Sequence, residues 1–393
     1  MKIFPLGISC LSAWLSTQPA LAQRIETTPE RLEQVRTWLR EKREPFYTYW
    51  QDAKKEGSVA FSKKYRPSAN TNPLTYHQYV NAQGSVARIL AYWWQLERNE
   101  EAAQTAIALL DSWASHQPLP GTNLDSKIRF PNAGMDVARG TLPFVVTYDL
   151  LHDLPEMTTE RKARIEHWFR ELSKVVEEGI RRWEENDDFG KQRFQNHHVS
   201  HVLGLAIFGT ALNDREMVQF ALDSPENPKD FKELIAGIIL MPTDKPHYGR
   251  RGKPLHAGEI QDRYRTDTGA GLTYCHLSMT MLLYAAEVFT RFTGEDYVNW
   301  KAPGGEHLQL PFTFYSDFFR TRSATLHGGY YHRDQRMISR PEPFFGIFEV
   351  ALHHWPDTPN LRAMVRHLHR AKTPRTWLSY YGLPLLTHGV AKP

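Results

Sequence analysis

Residues 195–201 read Gln195-Asn196-His197-His198-Val199-Ser200-His201 and open a helical stretch after a polar loop. An imidazole at such a junction can take or give a proton near neutral pH. The acid–base reading places Asn196 and His197 at the helix mouth, in a cleft. His197 and His201, at i and i+4, share one helical face, which would also suit two ligands of a metal ion. The pattern lacks the intervening Glu of a metal-binding His-Glu-x-x-His helix. Acid–base chemistry is therefore the favoured reading, and no metal is assigned. A second cluster runs from Glu259 to His276 and includes Arg263, Tyr264, Arg265 and Tyr274, leading into an apolar helix. A guanidinium fork grips carboxylates, and a phenol near a cation can donate a proton. Gly269 and Gly271 do not make a phosphate loop, because no strand precedes them.

Smaller features surround these two. Asp136 and Arg139 stand at i and i+3 near the opening of a helix, a spacing that suits a local ion pair. Lys63-Lys64-Tyr65-Arg66 is a basic loop that could cover a cleft. Trp93-Trp94 lies in a helical run, where packing is a commoner role than a sugar platform. The candidate substrate contacts are Lys63, Lys64, Arg66, Arg139, His198, Glu259 and His276.

The elements that must position these residues are helical. Thr28 is placed to cap a helix from Pro29 to about Asp52, with Leu32, Val35, Trp38 and Leu39 on one face. A loop is expected over 54–72, then a helix pair from Leu74 to Arg98 and Glu100 to Ala114. Further helices are predicted from Ala133 to Leu151, kinked at Pro143, and from Thr158 or Thr159 to Trp183. The series continues over His197–Leu212, Arg215–Leu222, Phe231–Ile239 and Gly269–Thr293. Long loops separate them at 116–129, 186–195 and 242–262. The last quarter mixes short helices at Phe312–Phe319, Phe344–His353 and Asn360–His369 with short strands. Strand–helix alternation is missing, which argues against a doubly wound α/β fold. Helix hairpins with long loops between them can stack as a solenoid or close into an α/α toroid, and an export signal together with the long loops favours closure.

Composition narrows the class. The chain has 393 residues, 48 Lys+Arg against 44 Asp+Glu, 18 His, 2 Cys and 48 aromatic residues (11 Trp, 17 Tyr, 20 Phe). A net charge of +4 is too small a bias to point to nucleic acid. Residues 1–22 have the parts of a secretory signal: Lys2, an apolar run from Ile3 to Leu15, and Ala20-Leu21-Ala22 before Gln23. Its removal would leave Cys275 alone, with no disulfide and no Cys-rich zinc site. One domain is expected over 23–393, in a protein exported to the periplasm or beyond, with no membrane attachment after cleavage and monomeric.

In these residues the chain resembles the alginate lyase superfamily of polysaccharide lyases. The likeness is carried in order by the helix pair around Val86–Trp113, by Asn132–Leu151 ending Thr147-Tyr148-Asp149-Leu150-Leu151, by Asn196-His197, and by the Arg…Tyr-x-His stretch. Gln195 stands where that family has a second Asn. The resemblance implies an all-α fold, an incomplete (α/α) toroid. It implies β-elimination in an anionic polysaccharide of uronic acids such as alginate or glucuronan. Asn196 with Arg263 or Arg265 would hold the uronate carboxylate, and His197 and Tyr274 are the matched base and acid, Tyr274 serving as both when departure is syn and His197 as the base when departure is anti. No metal or organic cofactor is required by that chemistry. Two other readings compete. A glycoside hydrolase would need two carboxylates across a cleft, drawn from Asp136, Asp187, Asp188, Glu259 and Asp267. A non-catalytic protein would hold the polysaccharide without turnover.

Overall fold

A computed structural model describes residues 25–67, 73–116, 130–185, 194–245, 255–264, 271–323, 326, 340, 342–370 and 382–390. The signal-like segment 1–22 lies outside these residues, as do Arg265, Asp187, Asp188 and Asp267. None of the described helices is long and apolar enough to cross a membrane.

Helix α1 (Pro29–Arg40) begins where the Thr28 hydroxyl accepts the Arg31 N–H at 3.3 Å. The single helix predicted to Asp52 is in fact two, because the chain breaks at 41–45 and resumes as α2 (Phe46–Ser62). Lys42 takes a left-handed φ of 51°, and Pro45 has no N–H with which to continue a helix. Residues 54–62, predicted as loop, extend α2, since Ala53, Gly57 and Ala60 keep one face buried. Helices α3 (Pro73–Glu97) and α4 (Glu100–His116) form the predicted hairpin. Asn99 caps α4 by accepting the Ala102 N–H at 2.8 Å.

Helix α5 (Phe130–Leu151) runs through Pro143. A proline cannot donate to the carbonyl four residues back. That carbonyl belongs to Arg139, and Asn81 Nδ2 of α3 donates to it at 3.4 Å. Helix α6 (Thr159–Glu185) follows, then α7 (Asn196–Leu212), α8 (Arg215–Leu222) and α9 (Phe231–Ile238). Asp214 and Asp230 cap the last two through the N–H groups of Met217 and Glu233. Strand β1 (Ile239–Leu240) pairs antiparallel with β2 (Glu259–Ile260), so the loop predicted over 242–262 has stapled ends. A 3-10 turn, Gln261–Tyr264, leads toward α10 (Gly271–Thr293). The remainder is α11 (Gln309–Thr321), a 3-10 turn at Glu342–Phe345, α12 (Ile347–His354), α13 (Pro359–Arg370) and α14 (Pro384–His388).

The layering follows from how much of each helix is apolar. Helix α7 is buried at all but three of its positions and α10 is buried along most of its length. Both sit in an inner ring with α3 and α5, in the order α3, α5, α7, α10. Helices α4 and α6 lie outside α3 and α5. The apolar stripe of α6 (Ile165, Trp168, Phe169, Leu172) faces inward, while Glu171, Lys174, Glu178 and Arg181 of the same helix face solvent or half-buried positions. Between the layers Trp168 packs on Trp113, Phe144 and Phe169 at 5.6–6.3 Å between ring centroids. Close approach of α5 and α7 depends on Gly204, whose added Cβ would stand 2.5 Å from the Ala138 methyl. This is the incomplete α/α toroid, an all-α architecture apart from the single two-residue strand pair among the described residues.

The end of the ring formed by the C-terminal halves of the inner helices is filled by residues 25–27. Glu26 is buried and receives Arg88 at 2.9 Å and Tyr92 at 3.0 Å from α3, and Tyr284 at 2.8 Å from α10. The Ile25 N–H donates to Asp149 of α5 at 3.2 Å. The C-terminal segment joins this closure, with Arg31 donating to the carbonyls of Leu386 and Gly389, each at 2.8 Å.

Candidate active site

A chain of hydrogen bonds ties together the opposite, N-terminal ends of the inner helices. His77 Nδ1 of α3 lies 3.1 Å from Asp136 Oδ1 of α5. One turn on, Arg139 reaches α7, with Nη2 2.7 Å from Asn196 Oδ1 and Nε 2.6 Å from Ser200 Oγ. Asn196 Nδ2 donates to Asp262 Oδ1 at 3.3 Å, and Ser278 of α10 donates to Asp262 Oδ2 at 2.5 Å. Ser200 also meets Met281 Sδ of α10 at 3.3 Å. The numbering rises together along α7 and α10, so the two run parallel, and their first turns share a rim with those of α3 and α5. The expected Asp136–Arg139 pair is thus divided between neighbours, Asp136 turning to His77 and Arg139 to Asn196.

His197 follows Asn196 and is half-buried. Its ring meets Trp183 edge-on at 5.0 Å. Tyr274, also half-buried, stands four residues before Ser278, on the same stripe of α10. Its root therefore lies one turn, about 6 Å, toward the rim from the buried network. Arg263 lies in the 3-10 turn immediately after Asp262, and this fixes where its backbone stands beside the same network.

Asn196 itself is fully buried. Its carbonyl faces a guanidinium and its amino group a carboxylate, so its amide is engaged at both ends. The residue thereby ties the mouth of α7 to Arg139 of α5 and to Asp262 ahead of α10. Four candidate contacts are likewise interior. Arg139 is the bridge just described. His198 is buried against Trp183 at 4.8 Å. Glu259 is buried and binds the N–H and Nδ1 of His256 at 2.9 and 3.0 Å. The preceding Gly258 makes that turn possible, having φ 90° and a backbone contact with Leu310 that excludes any Cβ.

His276 is the fourth. It is enclosed by Phe344 at 4.3 Å, Phe345 at 5.3 Å and Phe319 at 5.5 Å. Burial first, then the Arg322 and Arg340 charges, push its pKa down to about 3. Those two guanidinium groups lie over Phe345 at 4.1 Å and Phe344 at 4.9 Å. Helix α10 begins inside the protein, so a residue on its inner face packs on rings instead of meeting solvent.

Lys63, Lys64 and Arg66 are exposed. Their backbone is anchored, since Gln83 of α3 donates to the Arg66 carbonyl at 2.9 Å while accepting Trp113 Nε1 at 2.8 Å. The metal reading of His197 and His201 gains nothing from the packing. His201 is fully buried, its Nε2 close to Gly134 and Gly179, whose lack of side chains makes room for the ring. The hydrolase alternative has Asp136 and Glu259 among the described residues, and both are buried and bound to histidines. Sequence reading missed His77, Ser200, Asp262 and Ser278. Apart from the bond of Ser200 to the Asn196 carbonyl within α7, their partners lie 16 to 81 residues away in the chain, and no local pattern announces them.

Comparison with known proteins agrees with this architecture. The family described as Alginate lyase matches residues 18–236, more than half of the chain. An alginate lyase from Bacteroides ovatus superposes with a TM-score of 0.64 at 13% identity, over 94% of this chain and 99% of that one. Alginate lyase A1-III from Sphingomonas species A1 gives 0.59 at 14% identity, over 94% and 99%. A tyrosine-to-phenylalanine variant of A1-III, complexed with tetrasaccharide, gives 0.63 at 12% identity, over 91% and 93%. Curated protein sequences give no match. At these identities the superpositions speak for the fold. The matched family and the toroid with its hydrogen-bonded rim agree, and the chain belongs to the alginate lyase family of polysaccharide lyases.

Proposed function

We propose that this protein is an exported lyase that cleaves a uronate polymer, alginate, glucuronan or a related chain, by β-elimination. One observation carries the reading. The hydrogen bonds His77–Asp136 and, one turn along α5, Arg139–Asn196–Asp262–Ser278 gather four helix ends beside His197 and Tyr274. A base takes the C5 proton of the uronate, the electron pair forms the C4–C5 double bond, and the 4-linked oxygen leaves with a proton. The step needs one base, one acid and compensation for the growing negative charge on the carboxylate.

His197 and Tyr274 divide the two proton transfers. The positive end of α7 favours an anion at its mouth. Arg263 and Arg265 are the nearest cations in sequence for the carboxylate. Lys63, Lys64 and Arg66 offer an exposed basic strip for the rest of the polymer. The tetrasaccharide complexes of A1-III come from a tyrosine-to-phenylalanine and a histidine-to-alanine variant, the residue types proposed here. The protein acts as a monomer of one domain in the periplasm or outside the cell. Alginate and glucuronan incubated with the purified protein test the proposal through the ultraviolet absorbance of a 4,5-unsaturated uronate. Reducing ends that appear without that absorbance would count against it.

A further inference from the structure

One titratable cluster takes no part in the rim. Glu287 of α10, His354 at the end of α12 and His388 at the end of α14 converge near the closed end of the ring. Along α10, Glu287 is about 20 Å from Tyr274 at 1.5 Å per residue. His354 Nε2 lies 2.7 Å and His388 Nε2 2.9 Å from the same atom, Glu287 Oε1. Glu287 is buried, and Arg291 stands 3.5 Å from its second oxygen. The His353 ring flanks the pair, 5.3 Å from His354 and 5.4 Å from His388. Among the described residues this is the one set of three His, Cys, Asp or Glu with ligand atoms within 4.8 Å of one another.

Thr387 Oγ1 lies 2.8 Å from His388 Nδ1, and the carbonyls of Leu383 and Pro384, at 3.3 and 3.5 Å, are available to its own proton. The hydroxyl can therefore accept a proton from Nδ1, and in that tautomer the Nε2 lone pair faces Glu287 Oε1, 2.9 Å away, which is the form of the ring that binds a metal ion.

We infer that Glu287, His354 and His388 form a binding site for a divalent transition-metal ion, with zinc as the representative. Two imidazoles and one carboxylate are three ligands of a tetrahedral set. The fourth position falls to His353 or to water. Bonds of about 2.0–2.1 Å separate tetrahedral neighbours by about 3.3 Å, so the present contacts open by about half an ångström around the ion. Thr387 already supplies the outer partner that fixes the tautomer of His388. The ligands come from three elements separated by 67 and 34 residues, so the ion would clip the C-terminal segment onto α10 and α12. The site is independent of the lyase reading, and its test does not depend on turnover.

The whole protein is stripped with chelator and then titrated with zinc alone, by calorimetry and by metal content after gel filtration. About one zinc per chain is expected, together with a thermal midpoint several degrees higher in excess zinc. His354→Gln keeps a donor for Glu287 but removes a ligand, and should weaken zinc binding at least tenfold. His388→Gln should do the same and guards against a local effect of the first variant. Zinc uptake below a tenth of an equivalent, or uptake unchanged in both variants, would overturn the inference. In the first case a proton on His388 fills the gap, and in the second other histidines hold the metal.

Discussion

Asn196 is buried at the mouth of α7, one residue before the proposed proton-transfer residue His197. Its amide is held by Arg139 on one side and Asp262 on the other, which leaves His197, the next residue, with one fixed origin. Arg139→Met removes the bridge between α5 and α7 while keeping much of its bulk. We expect a loss of about 1–3 kcal/mol in unfolding free energy, read by denaturant titration. We also expect kcat to fall more than KM rises, because the acid and base are displaced while the exposed basic strip is untouched. The sequence offers Asn196-His197 as candidates for chemistry, but the burial of Asn196 was not legible there. A carboxamide bracketed by a guanidinium and a carboxylate from distant segments leaves no trace in local spacing. His276 carries a second prediction at this scale. Its folded pKa lies near 3 and its unfolded value near 6.5. The unfolded chain therefore binds this proton first as pH falls. Its contribution is complete above pH 6.5 and is lost progressively down to about pH 3, at about 1.4 kcal/mol per pH unit. His276→Phe should flatten the acid side of the stability–pH curve over that window. An unchanged slope in that variant would refute the assignment.

At the level of elements, the helices and their order follow from periodicity, whereas breaks and closures come from elsewhere. The α1–α2 break turns on a left-handed Lys42 and on Pro45, which a 3.6-residue pattern passes over. The β1–β2 staple involves two residues on each side, too few to register as alternation. Helix α5 was legible with its proline, and the structure supplies the missing partner in Asn81. The inner ring was legible only as unusually apolar helices, while its order emerges from contacts such as Gly204 against Ala138. Gly204→Ala should destabilise the protein by about 1–3 kcal/mol, since the added methyl meets another side chain instead of a void. Thermal or urea unfolding of the variant measures this, and a neutral result would mean that α5 and α7 can separate without cost.

In the molecule as a whole, residues 25–27 and the C-terminal segment seal one end of the helix ring. The N-terminal ends of α3, α5, α7 and α10 make the rim at the other end, where the active site is proposed. Glu26 is the centre of that seal, with Arg88, Tyr92 and Tyr284 all directed at one buried carboxylate. Glu26→Ala leaves Arg88 buried without this partner and should cost about 3–5 kcal/mol, while Glu26→Ala with Arg88→Met should recover part of the loss. The fold class was legible in the sequence because hairpin periodicity and family resemblance agreed. The seal was not, because it joins residue 26 to residues 88, 92 and 284. The central claim is the proposal that His197 and Tyr274, at the rim, carry the proton transfers of uronate elimination. Its most direct test is the rate of ultraviolet-absorbing product from the preferred uronate polymer, measured for Tyr274→Phe and His197→Ala against the parent protein. Each is expected to lose at least about a hundredfold in kcat, the scale of general acid–base catalysis, with the fold intact by circular dichroism. Full activity in both variants would contradict the account.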